Sequence, residues 1–208
     1  MTATVEHTVT SGTFNLDGGS WHVENNVWLV GDERECVLID APHEAGPILE
    51  LVGGRTVTAI LCTHAHDDHI TTARELGERL GVPVRLHPAD AVLWRQSYPD
   101  FEFVPLTDGE TVSVAGVRMT VLHTPGHSPG AVCFHAPDLH TVFTGDTLFA
   151  GGPGATGRSY SDFGTIIASI RDRLLTLPPA TVVRTGHGDS TTIGAEAPQL
   201  ADWIARGH

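Results

Sequence analysis

Between Thr63 and His69 the chain reads Thr-His-Ala-His-Asp-Asp-His, which puts three histidines and two aspartates into six consecutive positions. Imidazole nitrogen and carboxylate oxygen together suit zinc and related transition metals, and so dense a titratable cluster is costly to desolvate unless something binds it. The cluster follows directly on an apolar run, Thr58-Ala59-Ile60-Leu61-Cys62, that reads as a buried strand delivering its last residues to a sheet edge. The chemistry this predicts is metal binding. The plain alternative is a solvated loop that happens to be rich in histidine.

Other potential ligands stand where strands stop. Asp40 follows Cys36-Val37-Leu38-Ile39, Asp146 follows the run from Thr141 to Thr144, His187 follows Thr181-Val182-Val183-Arg184, and His127 lies in a loop after Val117 to Leu122. Alone, an aspartate such as Asp40 is most often a turn former. Polar residues repeated at strand ends, however, are how a layered αβ scaffold builds a site along one sheet edge.

The elements that must position these residues alternate along the chain. Val5 to Thr13, Trp21 to Val23, Val27 to Val30 and Cys36 to Ile39 are expected as antiparallel strands of a meander. Helices are expected near Ala45 to Val52, over Ile70 to Leu80 with His69 at or near its start, and from Pro88 to Arg95. A hairpin across Ala115-Gly116 leads into His123-Thr124-Pro125-Gly126-His127, and two further strands bracket Pro137-Asp138. A glycine-rich loop, Gly151 to Gly157, precedes a helix with an Ile166, Ile170 and Leu174 face, capped by Ser161 or Asp162. A last amphipathic helix carries Leu200, Trp203 and Ile204. The aromatic stretch from Gln96 to Pro105 is a candidate pocket edge, with surface packing as the stronger reading.

Residues 1–208 are expected to form one domain, without internal repeats or a linker. A hydrophobic share of 40% and a charged share of 18% are those of a soluble globular protein. The formal net charge is −13, and all 12 basic residues are arginine. So acidic a surface repels phosphate backbones and anionic headgroups, which disfavours nucleic acid and membrane partners. No signal-like segment or membrane-spanning run is present, so the expected location is cytoplasmic. Cys36, Cys62 and Cys133 sit singly in apolar runs and read as small buried residues rather than thiolate nucleophiles or ligands.

The strand context, together with Thr-Pro-Gly-His at 124–127, Thr-Gly-Asp-Thr at 144–147 and Gly-His-Gly at 186–188, resembles the metallo-β-lactamase-fold hydrolases. The chain looks most like the single-domain relatives of glyoxalase II, and the resemblance runs from Asn25 to Gly194. It implies an α/β fold, a four-layer αβ/βα sandwich of two mixed β-sheets flanked by helices. Residue by residue it implies two divalent metal ions, zinc first, with iron or manganese as options. One would be held by His64, His66 and His127, the other by Asp68, His69 and His187, with Asp146 bridging both. Asp40 matches an acid behind the ligands that orients a ligating histidine or its loop. His123 matches a non-ligand that buttresses by hydrogen bond, and His43, His87 and His135 are left as structural or surface residues.

The activity so implied is hydrolysis of a small molecule by metal-bound hydroxide, with Asp68 helping to orient the hydroxide and accept its proton. A thioester of a low-molecular-weight thiol suits such a site, since a thiolate leaves without a strong acid. One alternative is an iron persulfide dioxygenase. Those enzymes resemble Gly-Arg-Thr-Asp where this chain reads Gly154-Ala155-Thr156-Gly157. Lactone or β-lactam opening, and a non-catalytic metal-binding or scaffold role, are the others. The stretch after His187 lacks the helical extension with which two-domain glyoxalase II proteins hold glutathione, which points to another thiol carrier. A lysine-free, Ala/Gly/Arg-rich composition of actinobacterial style suggests mycothiol. Arg158 and Tyr160, in the loop from Gly151 to Asp162, are the expected substrate contacts, and the expected assembly is a monomer or homodimer.

Overall fold

The computed structural model describes residues 3–207. One six-stranded sheet takes its strands in chain order: β1 (Thr4–Leu16), β2 (Gly19–Gly31), β3 (Glu35–Ile39), β4 (Thr56–Leu61), β5 (Val84–Leu86) and β6 (Val104–Pro105). Its first three strands pair antiparallel and its last three parallel to their predecessors, so the sheet is mixed. The second six-stranded sheet comes from the later chain: β7 (Thr111–Val114), β8 (Val117–His123), β9 (Val132–Ala136), β10 (Thr141–Gly145), β13 (Val182–Thr185) and β14 (Thr191–Thr192). They lie side by side in the order β14-β13-β10-β9-β8-β7. Here only β10 and β13 run parallel. A small hairpin of β11 (Leu148–Phe149) and β12 (Gly152–Pro153) hangs between β10 and the helix that follows.

Alternation along the strands sorts the core into three slabs. In β3, Cys36 and Leu38 face α1 (Ala45–Val52) and its neighbouring helices, whereas Val37 and Ile39 face the other sheet. In β9, Val132 and Phe134 meet Val37 and Ile39 in the central slab, while Cys133 turns outward to Ile166, Ile170 and Trp203. A period of two with both faces apolar requires cover on both sides. The first sheet is covered by α1, the single turn α2 (Asp67–Ile70), α3 (Ala73–Leu80) and α4 (Ala91–Ser97). The second is covered by α5 (Phe163–Ser169), the short α6 (Ile193–Glu196) and α7 (Leu200–Arg206). The result is the expected four-layer αβ/βα arrangement.

The structure differs from the sequence expectation in places that matter for the site. Trp21 to Val30 forms one strand rather than two, because β2 pairs with β1 residue for residue from Gly19 to Gly31. Its polar middle, Asn25 and Asn26, is buried and bonds toward the later chain instead of making a turn. The helix expected over Ile70 to Leu80 is broken: α2 ends at Ile70, and α3 starts at Ala73 after Thr72 donates its hydroxyl to Ala41 O. Tyr98 and Phe101 pack on the outer core, and Tyr98 donates to Ile70 O, which fits the surface-packing reading of the aromatic stretch. No helix among the described residues is long and apolar enough to cross a membrane.

Candidate metal centre

Parallel strands deliver their C-terminal ends to one edge, and both sheets do so on the same side. β3 ends in Asp40 and β4 in the Thr63–His69 segment, while β10 ends in Asp146 and β13 leads to His187. Two backbone bonds join the sheet ends: Val132 N donates to Thr63 O, and Asn26 N to Gly186 O, both at 2.8 Å. His127 enters from the β8–β9 loop, held against α5 by Asp162 N donating to Gly126 O. Gly126, at φ 134, leaves the room for that contact, because a β-carbon there would overlap the backbone of Ile166.

The structure brings all seven expected ligand residues together. His64 Nε2 lies 3.1 Å from His66 Nδ1, and His66 Nδ1 lies 3.0 Å from His127 Nε2. His69 Nε2 stands 3.2 Å from Asp146 Oδ1 and 3.3 Å from His187 Nε2. His187 Nε2 is also 3.3 Å from Asp146 Oδ2 and 3.4 Å from Asp68 Oδ2. Ligand atoms of His64, His66 and His127 form one group able to hold a metal ion, and those of Asp68, His69 and His187 another. His64, His69 and Asp146 make a third group between them.

The outer ring nitrogens decide which lone pairs face inward. His127 Nδ1 donates to Ala155 O at 2.9 Å, and His187 Nδ1 to Glu24 O. His69 Nδ1 donates to Asp40 Oδ2 at 2.8 Å. Thr63 Oγ1 donates to the same Asp40 oxygen, so it is left to accept from His64 Nδ1 at 3.0 Å. Four of the five rings therefore turn Nε2 toward the centre, and His66 turns its Nδ1. Asp68 Oδ1 and Asp146 Oδ1 are buried without a hydrogen-bond partner; His69 approaches the latter without a bond's alignment. Converging ring nitrogens and orphaned carboxylate oxygens fit a pair of divalent cations.

Charges in this cluster polarise it. Burial pushes the His64 imidazole well below its ordinary range, and neighbouring histidines add to the effect; His66 is pushed down to about 3 for the same reasons. Burial also opposes a charge on His187, yet Asp146 and Asp68 outweigh it and hold that imidazolium up to about 10. His69 is held well above its usual range by Asp146, Asp68 and Asp40 against its own burial. Burial raises the carboxyls of Asp68 and Asp146, but the histidines beside them bring both below the usual carboxylate range.

Several residues around the ligands were not singled out from sequence. Asn25, fully buried on β2, donates its amide to Asp68 Oδ2 at 3.0 Å and accepts from His43 Nε2 at 2.7 Å. His43, expected to be structural or surface, thus lies one residue removed from the ligands. Asp90 is buried beneath the histidine loops and accepts from Ala65 N, Ser128 Oγ and Gly130 N. His123 stacks on His87 at 4.0 Å and donates to Pro129 O, a buttress for the His127 loop. His135 stands apart on β9. A lone aspartate or asparagine in a sequence carries no signal for such roles.

Over the cluster opens a cleft of about 420 Å³ walled by Phe14, Leu16, Trp21, Val23 and Phe149. Arg158 lines it, with its guanidinium carbon 3.9 Å from the centre of the Trp21 ring and its backbone fixed by Ser161. Tyr160 does not. At φ 67 its backbone is left-handed, and its ring turns outward, 47% exposed, to a separate hollow beside Gly18 and Gln96. Of the two expected substrate contacts, Arg158 therefore lines this cleft and Tyr160 does not.

Comparison with known proteins agrees with this architecture. A family model described as "Metallo-beta-lactamase superfamily" matches residues 22–187. "Probable metallo-hydrolase YqgX" of Bacillus subtilis (strain 168) is 34% identical over 85% of this chain and 91% of its own length. "Hydroxyacylglutathione hydrolase GloC" of Haemophilus influenzae is 33% identical over 79% of this chain and 85% of its own. Among solved structures, TTHA1623 in a di-iron-bound form superposes with a TM-score of 0.76 at 39% identity, covering 84% of this chain and 93% of that one.

Proposed function

Since this chain belongs to the metallo-beta-lactamase superfamily, and with it to a class of metal-dependent hydrolases, we propose that it holds two divalent cations and cleaves a thioester of a low-molecular-weight thiol. One observation carries the metal half of the reading: three histidine nitrogens stand within 3.1 Å of their neighbours, and those of His64 and His127 are turned inward by the bond each ring's other nitrogen makes. His64, His66 and His127 would hold the first cation, Asp68, His69 and His187 the second, and Asp146 both. Cations there would supply a water ionised near neutrality and would polarise the scissile carbonyl. Nitrogen and oxygen donors suit zinc, our first assignment, and also iron, which TTHA1623 carries.

The chain's own residues do the rest. Asn25 pins Asp68 through Oδ2, which leaves Oδ1 free to accept a proton from the attacking water. The wall of Phe14, Leu16, Trp21, Val23 and Phe149 excludes water from the acyl group, and Arg158 presents a planar cation to an anionic part of the substrate. Apart from the expected ligand residues, no carboxylic acid among the described residues lines the cleft to protonate a leaving group. A thiolate needs none, whereas the amine of an opened lactam does. The similarity to GloC supports the same choice. Where persulfide dioxygenases are expected to place an arginine, this chain has Ala155, whose carbonyl serves His127. Three free, buried cysteines suit a reducing compartment, and the reading places the enzyme in the cytoplasm.

The test is metal analysis of the purified protein, then a panel of acyl-thioesters of glutathione, coenzyme A and mycothiol. Thiol release that depends on two bound ions is the expected result. A fully loaded protein that releases no thiol but opens a lactone, or takes up oxygen with a persulfide, would reverse the assignment.

A further inference from the structure

Asp90 lies just ahead of α4, far in sequence from every residue of the metal cluster, and is completely buried. One of its carboxylate oxygens accepts from Ala65 N and Ser128 Oγ, both at 2.8 Å; the other accepts from Gly130 N. Ala65 sits between His64 and His66, and Ser128 follows His127. A single side chain thus ties the loop that carries two histidines of the first set to the loop that carries the third. The fit is close: a β-carbon on Gly130 would overlap Asp90 itself. No arginine or histidine lies within ion-pair distance of this carboxylate among the described residues. A buried carboxylate held only by hydrogen bonds is an expensive way to staple two loops, and apolar packing would do so more simply.

We infer that Asp90 is a positioning residue for the first cation, setting the distance between the His64–His66 loop and the His127 loop so that their nitrogens meet. This rests on the two-cation reading above. The second set is built differently: Asp68 and His69 sit on α2, steadied by Asn25 and Asp40, and His187 is anchored to Glu24. None of these bonds passes through Asp90, so its loss should weaken one site and spare the other.

Asparagine at position 90 keeps the shape but cannot keep all three bonds. If its oxygen faces Ala65 and Ser128, its amide nitrogen confronts Gly130 N–H; turned over, the nitrogen confronts Ala65 N–H. Either way one backbone donor faces another donor, and the tie between the loops loses one of its three bonds. The experiment titrates metal-free wild type, Asp90→Asn and Ser128→Ala with Zn²⁺ by calorimetry, following the histidine rings by ¹⁵N NMR. His66 is the one ring that offers Nδ1, so a zinc-bound Nδ1 resonance reports the first site alone. Wild type should take two ions. Asp90→Asn should lose about 10–100-fold in affinity for one of them, and that one should carry the Nδ1 signature, while the other changes less than about twofold. Ser128→Ala should show the same pattern more weakly. Equal weakening of both ions, or unchanged binding of both, overturns the inference while leaving the two-cation reading intact. A wild type that takes up no metal overturns both.

Discussion

Replacing Asp40 by asparagine changes one atom, yet the hydrogen bonds around that atom leave no neutral solution. Asp40 Oδ1 accepts from Thr63 N at 2.7 Å, and Oδ2 accepts from Thr63 Oγ1 and His69 Nδ1, both at 2.8 Å. If the asparagine oxygen keeps Thr63 N, its amide faces His69 Nδ1–H. The imidazole must then move its proton to Nε2, and the lone pair offered to the second cation disappears. Thr63 must also turn its hydroxyl, which withdraws the acceptor from His64 Nδ1 and disturbs the first set through the same atom. Loss of such a supporting carboxylate costs about 10–100-fold in metal affinity, or about 1.4–2.7 kcal/mol. Alanine is harsher, because three buried donors lose their acceptor at about 1–3 kcal/mol each. For a chain of this size that lowers the melting temperature of the metal-free protein by about 10 °C or more. Zinc titration by calorimetry and ring-proton assignment by NMR measure the first effect, and a thermal melt with chelator the second. Asparagine at position 40 that leaves both ions at wild-type affinity, with His69 still protonated on Nδ1, would refute the reasoning.

Other expectations follow from the same geometry. Asp146→Ala removes the carboxylate shared by His69, His127 and His187 and should abolish binding of at least one metal ion together with turnover, read by metal analysis and thiol release. In the metal-free protein His187 is raised from its ordinary 6.5 to about 10. The stability it contributes is full below 6.5 and is lost as pH climbs toward about 10, so denaturant midpoints measured with chelator should fall across that window. Gly186→Ala would drive a β-carbon into Asp146 Oδ1 and His69 without replacing any expected ligand. It should cost metal affinity by at least about tenfold, measured by competition with a chromophoric chelator. Arg158→Ala should raise KM severalfold for a carboxylate-bearing thioester while leaving kcat, and the KM of its neutral ester, near wild type.

The convergence of the expected ligand residues could be read from sequence because their positions follow from local rules, while their division into two sets came from the family resemblance. His64 to His69 come directly off one strand, and Asp40, Asp146 and His187 each stand at the end of another, so hydrophobic patterning alone brings them to a common edge. Asn25, His43 and Asp90 obey no such rule. Asn25 meets Asp68 across 43 residues and Asp90 meets Gly130 across 40, and neither lies in a periodic segment that would point it there. The broken helix after Ile70 escaped for a related reason: Ile70, Ala73, Leu76 and Leu80 keep helical spacing through the break, and only the bond from Thr72 to Ala41 exposes it. Tyr160 lies off the cleft that Arg158 lines. It stands two residues from Arg158, but in an irregular loop two residues fix no common direction, and a left-handed backbone turned it away.

The two sheets divide the chain in sequence as well as in space, the first ending at Pro105 and the second beginning at Thr111. Each expected ligand set draws on both: His64 and His66 from the first half with His127 from the second, Asp68 and His69 with His187, and Asp146 from the second half alone. A cation held there is therefore also a cross-link between halves that otherwise meet through the central slab and a few bonds such as Asn26 to Gly186. Cohesion of the halves and occupancy of the site become one linked equilibrium. A chain cut between Pro105 and Thr111 would make that linkage visible, since metal should tighten the reassembly of the two fragments and chelation should loosen it.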